Sequence, residues 1–296
     1  MSRCKVLTNA ALGCGTPSLI DLWRWNALSE SSQGPFHSYL LTHWAIYLNL
    51  GYWETAQTLQ EACQALAALI ADTVKMVPQD QVLDVGFGFA DQDIFWANAY
   101  HPRHILGLNI TASQVESARW RVSELQMTER IDLRLGSATQ MPLDAESVDV
   151  VVALECAFHF HTRQHFFQEA FRVLRPGGRL AVADILPMPL APGFVERLVQ
   201  QFSWRLVASK FAVPRTNRYD REEYARRLKA CGFKSVRVDS IREKVYEPLH
   251  RYLARHPAPM EGLHPALRAS LRWALKLNAA TLYRGFDYIL AAAVKP

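Results

Sequence analysis

Cysteine is scarce and unpatterned in this chain: among 296 residues there are five, Cys4, Cys14, Cys63, Cys156 and Cys231, with no C-x-x-C pair. An odd count without paired spacing argues against a disulfide framework and a zinc finger, and it suits a reducing, cytoplasmic setting. Long apolar runs are missing as well, since none approaches the roughly 20 residues a spanning helix needs. Arg3 and Lys5 ahead of Val6 to Gly13 imitate a secretion signal, but Thr8 and Asn9 break that short run, so export is not expected. Internal repeats, low-complexity tracts and linkers that would divide the chain are absent. Nor does one sign of charge dominate. The net charge of +5, with a pI near 9.0, comes from basic residues interleaved with acids, which reads as a solvated surface and not as a nucleic-acid footprint. At 50% hydrophobic and 21% charged, the chain can bury the core of one large α/β domain with appendages.

What is present centres on Gln81-Val-Leu-Asp-Val-Gly-Phe-Gly-Phe-Ala90. Val82, Leu83 and Val85 around Asp84 predict a short buried strand, and Gly86 and Gly88 let the backbone turn sharply and pass close to a ligand. A nucleotide-like cofactor is the natural occupant. Dinucleotide enzymes place a third glycine five residues after the first, where this chain has Asp91. Methyltransferases that bind S-adenosylmethionine (SAM) place it four after, where Ala90 stands, small enough for the same close helix approach.

The pattern on either side predicts the rest of the architecture. Leu19 to Leu50, dense in Trp23, Trp25, Phe36, Tyr39, Trp44 and Tyr47, suits one or two packed helices, and Thr55 to Lys75 has apolar residues at helical spacing. Downstream, the readings are a helix over Asp91 to Ala99, a strand over His104 to Asn109 and a helix over Glu116 to Leu125 capped by Thr111. Strands follow at Ile131 to Leu135, Val148 to Leu154, and Arg179 to Asp184 after a turn at Arg175-Pro-Gly-Gly178. A helix over Arg221 to Ala230 and strands near Ser235 to Asp239 and Asp287 to Val294 complete it. The alternation predicts an α/β fold with a doubly wound, mostly parallel, Rossmann-like sheet of seven strands. Residues 1–54 read as a helical cap segment and 55–296 as the main domain, with cap inserts near 188–218 and 242–286. An extra helix is expected at Pro192 to Lys210, and Tyr246, Tyr252, Trp273 and Tyr283 could close an aromatic lid over the strand ends.

With the glycine loop, Asn109 and Arg175-Pro-Gly-Gly178 assembled, the chain resembles a class I SAM-dependent methyltransferase. More narrowly, Asn49-Leu-Gly-Tyr-Trp53, Leu83-Asp-Val-Gly-Phe-Gly88, Gly136-Ser-Ala-Thr139, Leu154-Glu155 with His159, Phe166-Phe167 and Ala183-Asp-Ile-Leu-Pro187 resemble the macrolide sugar O-methyltransferases of erythromycin-type biosynthesis. The resemblance runs from about Asn49 to the C-terminus. It implies SAM as cofactor and S-adenosylhomocysteine as product, with Asp84, Gly86 and Gly88 holding the amino-acid part. Asn109, with Gln114 nearby, would meet the ribose, Ile110 would lie against the adenine, Ser137 and Ala138 would line its edge, and Glu155 would lie under the methionine. Where the family usually has an acid, Asn109 offers an amide that accepts from one hydroxyl and donates to another. The partner implied is a lipophilic small-molecule acceptor, with no nucleic acid, no stable membrane insertion and room for a homodimer.

Methyl transfer from a sulfonium is an in-line displacement that mainly needs alignment, but a sugar hydroxyl attacks poorly until its proton is taken. The resemblance offers His159 and Asp184, which follow the fourth and fifth strands and are expected to form a base and its orienting carboxylate. The alternative is a structural histidine. His159-Phe-His161 with His165 invites a metal reading, yet a strand end entering a helix suits tetrahedral ligation poorly, and no metal is expected. Carbon methylation of an isoprenoid, quinol or lipid, with aromatic faces stabilising a carbocation, is a second reading. A SAM-binding regulator without transfer is a third, resting on Ala90 and Asn109. Leu154-Glu-Cys-Ala-Phe158 lacks the Asn/Asp-Pro-Pro-aromatic turn of nucleic-acid amino methyltransferases.

Overall fold

The computed structural model describes residues 47–210, 213–257 and 265–296. Nearly all of the helical segment expected between Leu19 and Leu50 lies outside the described residues. From there the chain runs α1 (Leu59–Thr73), β1 (Gln81–Val85), α2 (Asp91–Ala99), β2 (His104–Asn109), α3 (Ala112–Glu124), β3 (Ile131–Leu135) and β4 (Val148–Leu154). It continues through α4 (Arg163–Val173), β5 (Leu174–Pro187), α5 (Phe194–Lys210), α6 (Arg221–Ala230), β6 (Lys234–Ser240), α7 (Tyr246–Arg255), α8 (Pro265–Ala274), α9 (Ala279–Leu282) and β7 (Phe286–Val294). The strands form one sheet in the order β3-β2-β1-β4-β5-β7-β6. The first five run parallel, and β7 lies antiparallel between β5 and β6.

The near-continuous apolar character of β1 and β4 follows from their central place, where both faces must be covered. On one face α1, α2 and α3 press Leu66, Ile70, Trp96, Val115 and Val122 onto Val82, Ile105, Val150 and Val152. On the other, α4 and α6 press Phe166, Phe167, Tyr224 and Leu228 onto Leu83, Val85, Leu106 and Val151. Each such side chain, fully buried, stabilises the fold by about 1.5–3 kcal/mol. The sheet therefore presents its carboxyl edge as a rigid rim. Helix α1 begins at a capping box in which Thr58 and Glu61 satisfy each other's backbone N–H groups, and it delivers the chain to β1.

Two local expectations change. Arg175-Pro-Gly-Gly178 is not a free turn but a bulge inside β5, because Val148 faces Leu174 while Val150 already faces Arg179. Gly177, at φ +80°, absorbs the excess length. Thr111 holds the N-cap position of α3 without a side-chain cap; Asn109 Oδ1 accepts from the Thr111 N–H at 3.1 Å instead. The stretches 188–218 and 242–286 carry α5 and α7 to α9, which extend beyond what the sheet connections require.

Candidate functional site

The loop after β1 owes its shape to its neighbours. The Gly86 N–H continues the strand pairing onto the Leu108 carbonyl at 2.7 Å, and Gly86, Gly88 and Ala90 all have positive φ, at +81°, +59° and +65°. A Cβ on Gly86 would sit 2.6 Å from Cys156 Cβ. Glycine is thus demanded there by the chain leaving β4, whose Cys156 thiol donates to the Val85 carbonyl at 2.9 Å, and not by a ligand's approach alone. Arg121 on α3 clamps the far side of the loop, reaching the Phe89 carbonyl at 2.7 Å and both oxygens of the buried Asp91.

Asp84 is wholly buried beneath the loop, where its Oδ2 accepts from Gln92 Nε2 at 2.9 Å. Burial pushes its carboxyl up to about 7. Asp93, buried beside it, is raised well above the ordinary carboxylate range by burial first and by the Asp84 charge second.

At the end of β2 the sequence-predicted pair does meet, with Asn109 Nδ2 donating to Gln114 Oε1 at 2.7 Å. Next to it Ile110 is 73% exposed, a large apolar surface at the rim. Beyond β3, the Ser137 hydroxyl turns back onto Thr139, bonding its hydroxyl at 2.9 Å and accepting its N–H at 3.2 Å, while Ala138 is buried. An adenosine fits this arrangement, because the one large apolar side chain at the β2 tip stands beside polar groups already oriented by local bonds.

Glu155 follows β4 at φ +51°, a strained conformation for a non-glycine residue and of the kind that clusters at functional sites. Its Oε1 accepts from the Leu50 N–H at 2.7 Å and from the Tyr288 hydroxyl at 2.5 Å. Burial raises its carboxyl to about 7 against the pull of those two donors. Tyr288 opens onto an aromatic wall. Tyr246 lies edge-on to it at 5.9 Å and stacks on Tyr283 at 4.8 Å, and Phe286 packs on Trp204 at 5.2 Å. Of the residues expected to form a lid, Tyr246 and Tyr283 belong to this wall, whereas Tyr252 packs on Trp53 and Trp273 is exposed.

The expected pairing of His159 with Asp184 is not formed. His159 ends a 3-10 turn, Ala157–His159, after β4, its ring 4.2 Å from that of Phe158. Asp184 lies in β5 at 0% exposure, its Oδ2 taken by Arg163 Nε at 2.8 Å and its Oδ1 by the Ile185 N–H at 2.9 Å. Both Asp184 oxygens are thus engaged by Arg163 and the β5 backbone, and neither is bonded to the imidazole. At the start of α4 His161 and His165 are exposed, but Arg163 between them is wholly buried. Among the described residues no three His, Cys, Asp or Glu side chains are grouped to hold a metal ion.

Sequence reasoning passed over Arg163, Asn217 and Tyr288. Only Tyr288 left a signal, a hydroxyl beside Asp287 at the start of the apolar run of β7, since a tyrosine buried at a strand end needs a partner for its O–H.

The family described as "Methyltransferase domain" matches residues 83–182. The chain is 41% identical over 213 residues to erythromycin 3''-O-methyltransferase of Saccharopolyspora erythraea, covering 71% of this chain and 69% of that enzyme. It is 36% identical over 151 residues to 27-O-demethylrifamycin SV methyltransferase of Amycolatopsis mediterranei, covering 51% of this chain and 55% of that one. Among solved structures, geranyl diphosphate C-methyltransferase from Streptomyces coelicolor superposes with a TM-score of 0.68 at 16% identity, over 95% of this chain and 99% of that one. At that identity the likeness is one of fold.

Proposed function

This chain belongs to the class I SAM-dependent methyltransferases, beside the macrolide sugar O-methyltransferases, and from that premise we propose that it methylates a hydroxyl of a lipophilic or glycosylated natural product. One observation carries the reading: the glycine loop, the exposed Ile110 and the half-buried Glu155 stand together at the carboxyl edge of adjacent parallel strands, where ligands of open α/β sheets bind. SAM, when bound, supplies a methyl group on a sulfonium that leaves without acid assistance.

The chain's own residues do the rest. Backbone of residues 86 to 90 cradles the amino-acid part, Asn109 and Gln114 meet the ribose, Ile110 covers the purine, and Glu155 faces the ammonium side. His159 takes the proton of the acceptor hydroxyl at an imidazole nitrogen. The aromatic wall of Trp204, Tyr246, Tyr283 and Phe286 beside Glu155 suits an apolar acceptor and excludes water. Two relatives are named for O-methylation of erythromycin and of a rifamycin, which supports a hydroxyl as the atom methylated.

The test has two parts. Calorimetry should show micromolar binding of SAM and S-adenosylhomocysteine, and tight NAD binding with no response to SAM would remove the assignment. With erythromycin lacking its 3''-O-methyl group and 27-O-demethylrifamycin SV as trial acceptors, His159→Ala should lower turnover by roughly 10²- to 10⁴-fold, the usual contribution of a general base, at unchanged SAM affinity. Near-normal turnover of that variant would shift the reading to catalysis by alignment, or to carbon methylation in which the aromatic faces stabilise positive charge.

A further inference from the structure

We propose that Asn217 is a positioning residue for this reaction, holding in place the turn that carries His159. The inference rests on His159 being the base. Asn217 ends the 3-10 turn Arg215–Asn217, between α5 and α6, and is wholly buried. Its Nδ2 donates to the carbonyl of Phe158 at 3.3 Å and to that of Phe160 at 2.7 Å. Those are the residues immediately before and after His159. A single side-chain amide therefore grips both neighbours of the base.

The grip is itself anchored. Asn217 Oδ1 accepts from the Arg163 N–H at 3.1 Å, and the Asn217 carbonyl accepts from the Arg163 guanidinium. That guanidinium is fixed on β5 by Asp184 at 2.8 Å and by the Ile185 carbonyl at 2.8 Å. Within the turn, His159 N–H reaches the Cys156 carbonyl at 3.0 Å and Phe160 N–H the Ala157 carbonyl at 3.2 Å, while the Ala157 and Phe158 side chains are buried in the core. Short 3-10 pieces have poor hydrogen-bond geometry and yield easily. Without Asn217 the two flanking carbonyls would lose their buried donor, and the backbone that aims the imidazole would be free to rotate. Displacement of a catalytic group by about 1 Å can cost on the order of 10²-fold in rate. Asp184 and Arg163 thus reach the reaction through Asn217 and the backbone, not through a bond to the imidazole.

Asn217→Asp separates this role from simple packing. The variant is isosteric and still accepts from the Arg163 N–H, while its carboxylate cannot donate to Phe158 or Phe160. Three measurements read it: SAM affinity by calorimetry, the His159 Cε1–H resonance in 13C-histidine-labelled protein, and turnover on the two trial acceptors. The resonance is identified by its loss in His159→Ala and is sensitive to the adjacent Phe158 ring. We expect a folded protein with SAM affinity unchanged within about twofold, a shifted or broadened His159 resonance, and turnover lowered roughly 10- to 100-fold. In the His159→Ala background the same substitution should cost nothing further. Asn217→Ser, which retains one donor, should fall between, and it is read by the same criteria if Asn217→Asp does not fold. An unmoved His159 resonance, or an equal loss of turnover in both backgrounds, overturns the positioning role. Normal turnover by His159→Ala overturns the base reading instead, and the resonance then still reports whether Asn217 holds the turn.

Discussion

The buried pair Arg163–Asp184 shows how one residue's partner decides its role. Both side chains have 0% exposure, so each charge is tolerable only because the other is present. Burial raises the Asp184 carboxyl, and the Arg163 charge opposes that rise. We therefore expect Asp184→Asn to act first on stability. It should lose about 3–5 kcal/mol, the usual cost of leaving a buried charge without its partner, measured by chemical denaturation. A catalytic orienter of His159 would instead lower turnover with stability nearly intact. Replacing both residues by apolar ones, as in Arg163→Met with Asp184→Leu, should recover much of the stability but not the grip of Asn217 on the His159 turn.

At the scale of the element, the loop from Gly86 to Ala90 is held by strand and helix ends more than by its own composition. Gly86→Val would place its side chain on Cys156 Cβ and force a branched residue into positive φ. Folding and SAM binding should then fail together, with a stability loss of roughly 2–4 kcal/mol. Ala90 is the converse case. Its left-handed backbone costs about 1–2 kcal/mol that glycine would not pay, yet its methyl group, 0% exposed, contributes about 0.8 kcal/mol, and glycine adds unfolded-chain entropy of about 0.4–1 kcal/mol. Ala90→Gly should therefore change stability by less than about 1 kcal/mol and leave SAM affinity intact. A large affinity gain would mean that alanine distorts the loop.

At the scale of the whole molecule, acids beneath and beside the site set the pH response. Asp84 and Glu155 are each raised to about 7 by burial, so between about pH 4 and pH 7 the folded state holds protons that the unfolded chain has released. Stability from these two groups must then fall as pH rises through that window. Asp149 and Glu169, which are lowered, lose their contribution only in the acid range below it. His104, lowered by burial, works weakly in the opposite direction near neutrality. The melting temperature should be higher at pH 5.5 than at pH 8, and Asp84→Asn should flatten the difference. An unchanged slope in that variant would show that the carboxyl is already ionised when the chain is folded.

The succession of elements was legible from residue patterns alone, because β1 to β4 and α2 are written in apolar runs, caps and glycines whose meaning is local. So was the proximity of the residues proposed to hold the cofactor, since Gly86, Gly88 and Asn109 lie within one strand–helix–strand unit and Gln114 opens the next helix, where short-range order dictates three-dimensional proximity. The narrower family came from resemblance, and sequence identity bears it out. What only the tertiary structure decided is which long-range partners each polar residue finds. Asp184 meets Arg163 and not His159, Glu155 meets Tyr288 from 133 residues away, and Asn217 reaches back 57 residues to the Phe160 carbonyl. Such choices leave no periodic trace in the chain, because a buried charge or amide is satisfied by whatever donor the packing brings within hydrogen-bond distance, and packing is a property of the assembled layers.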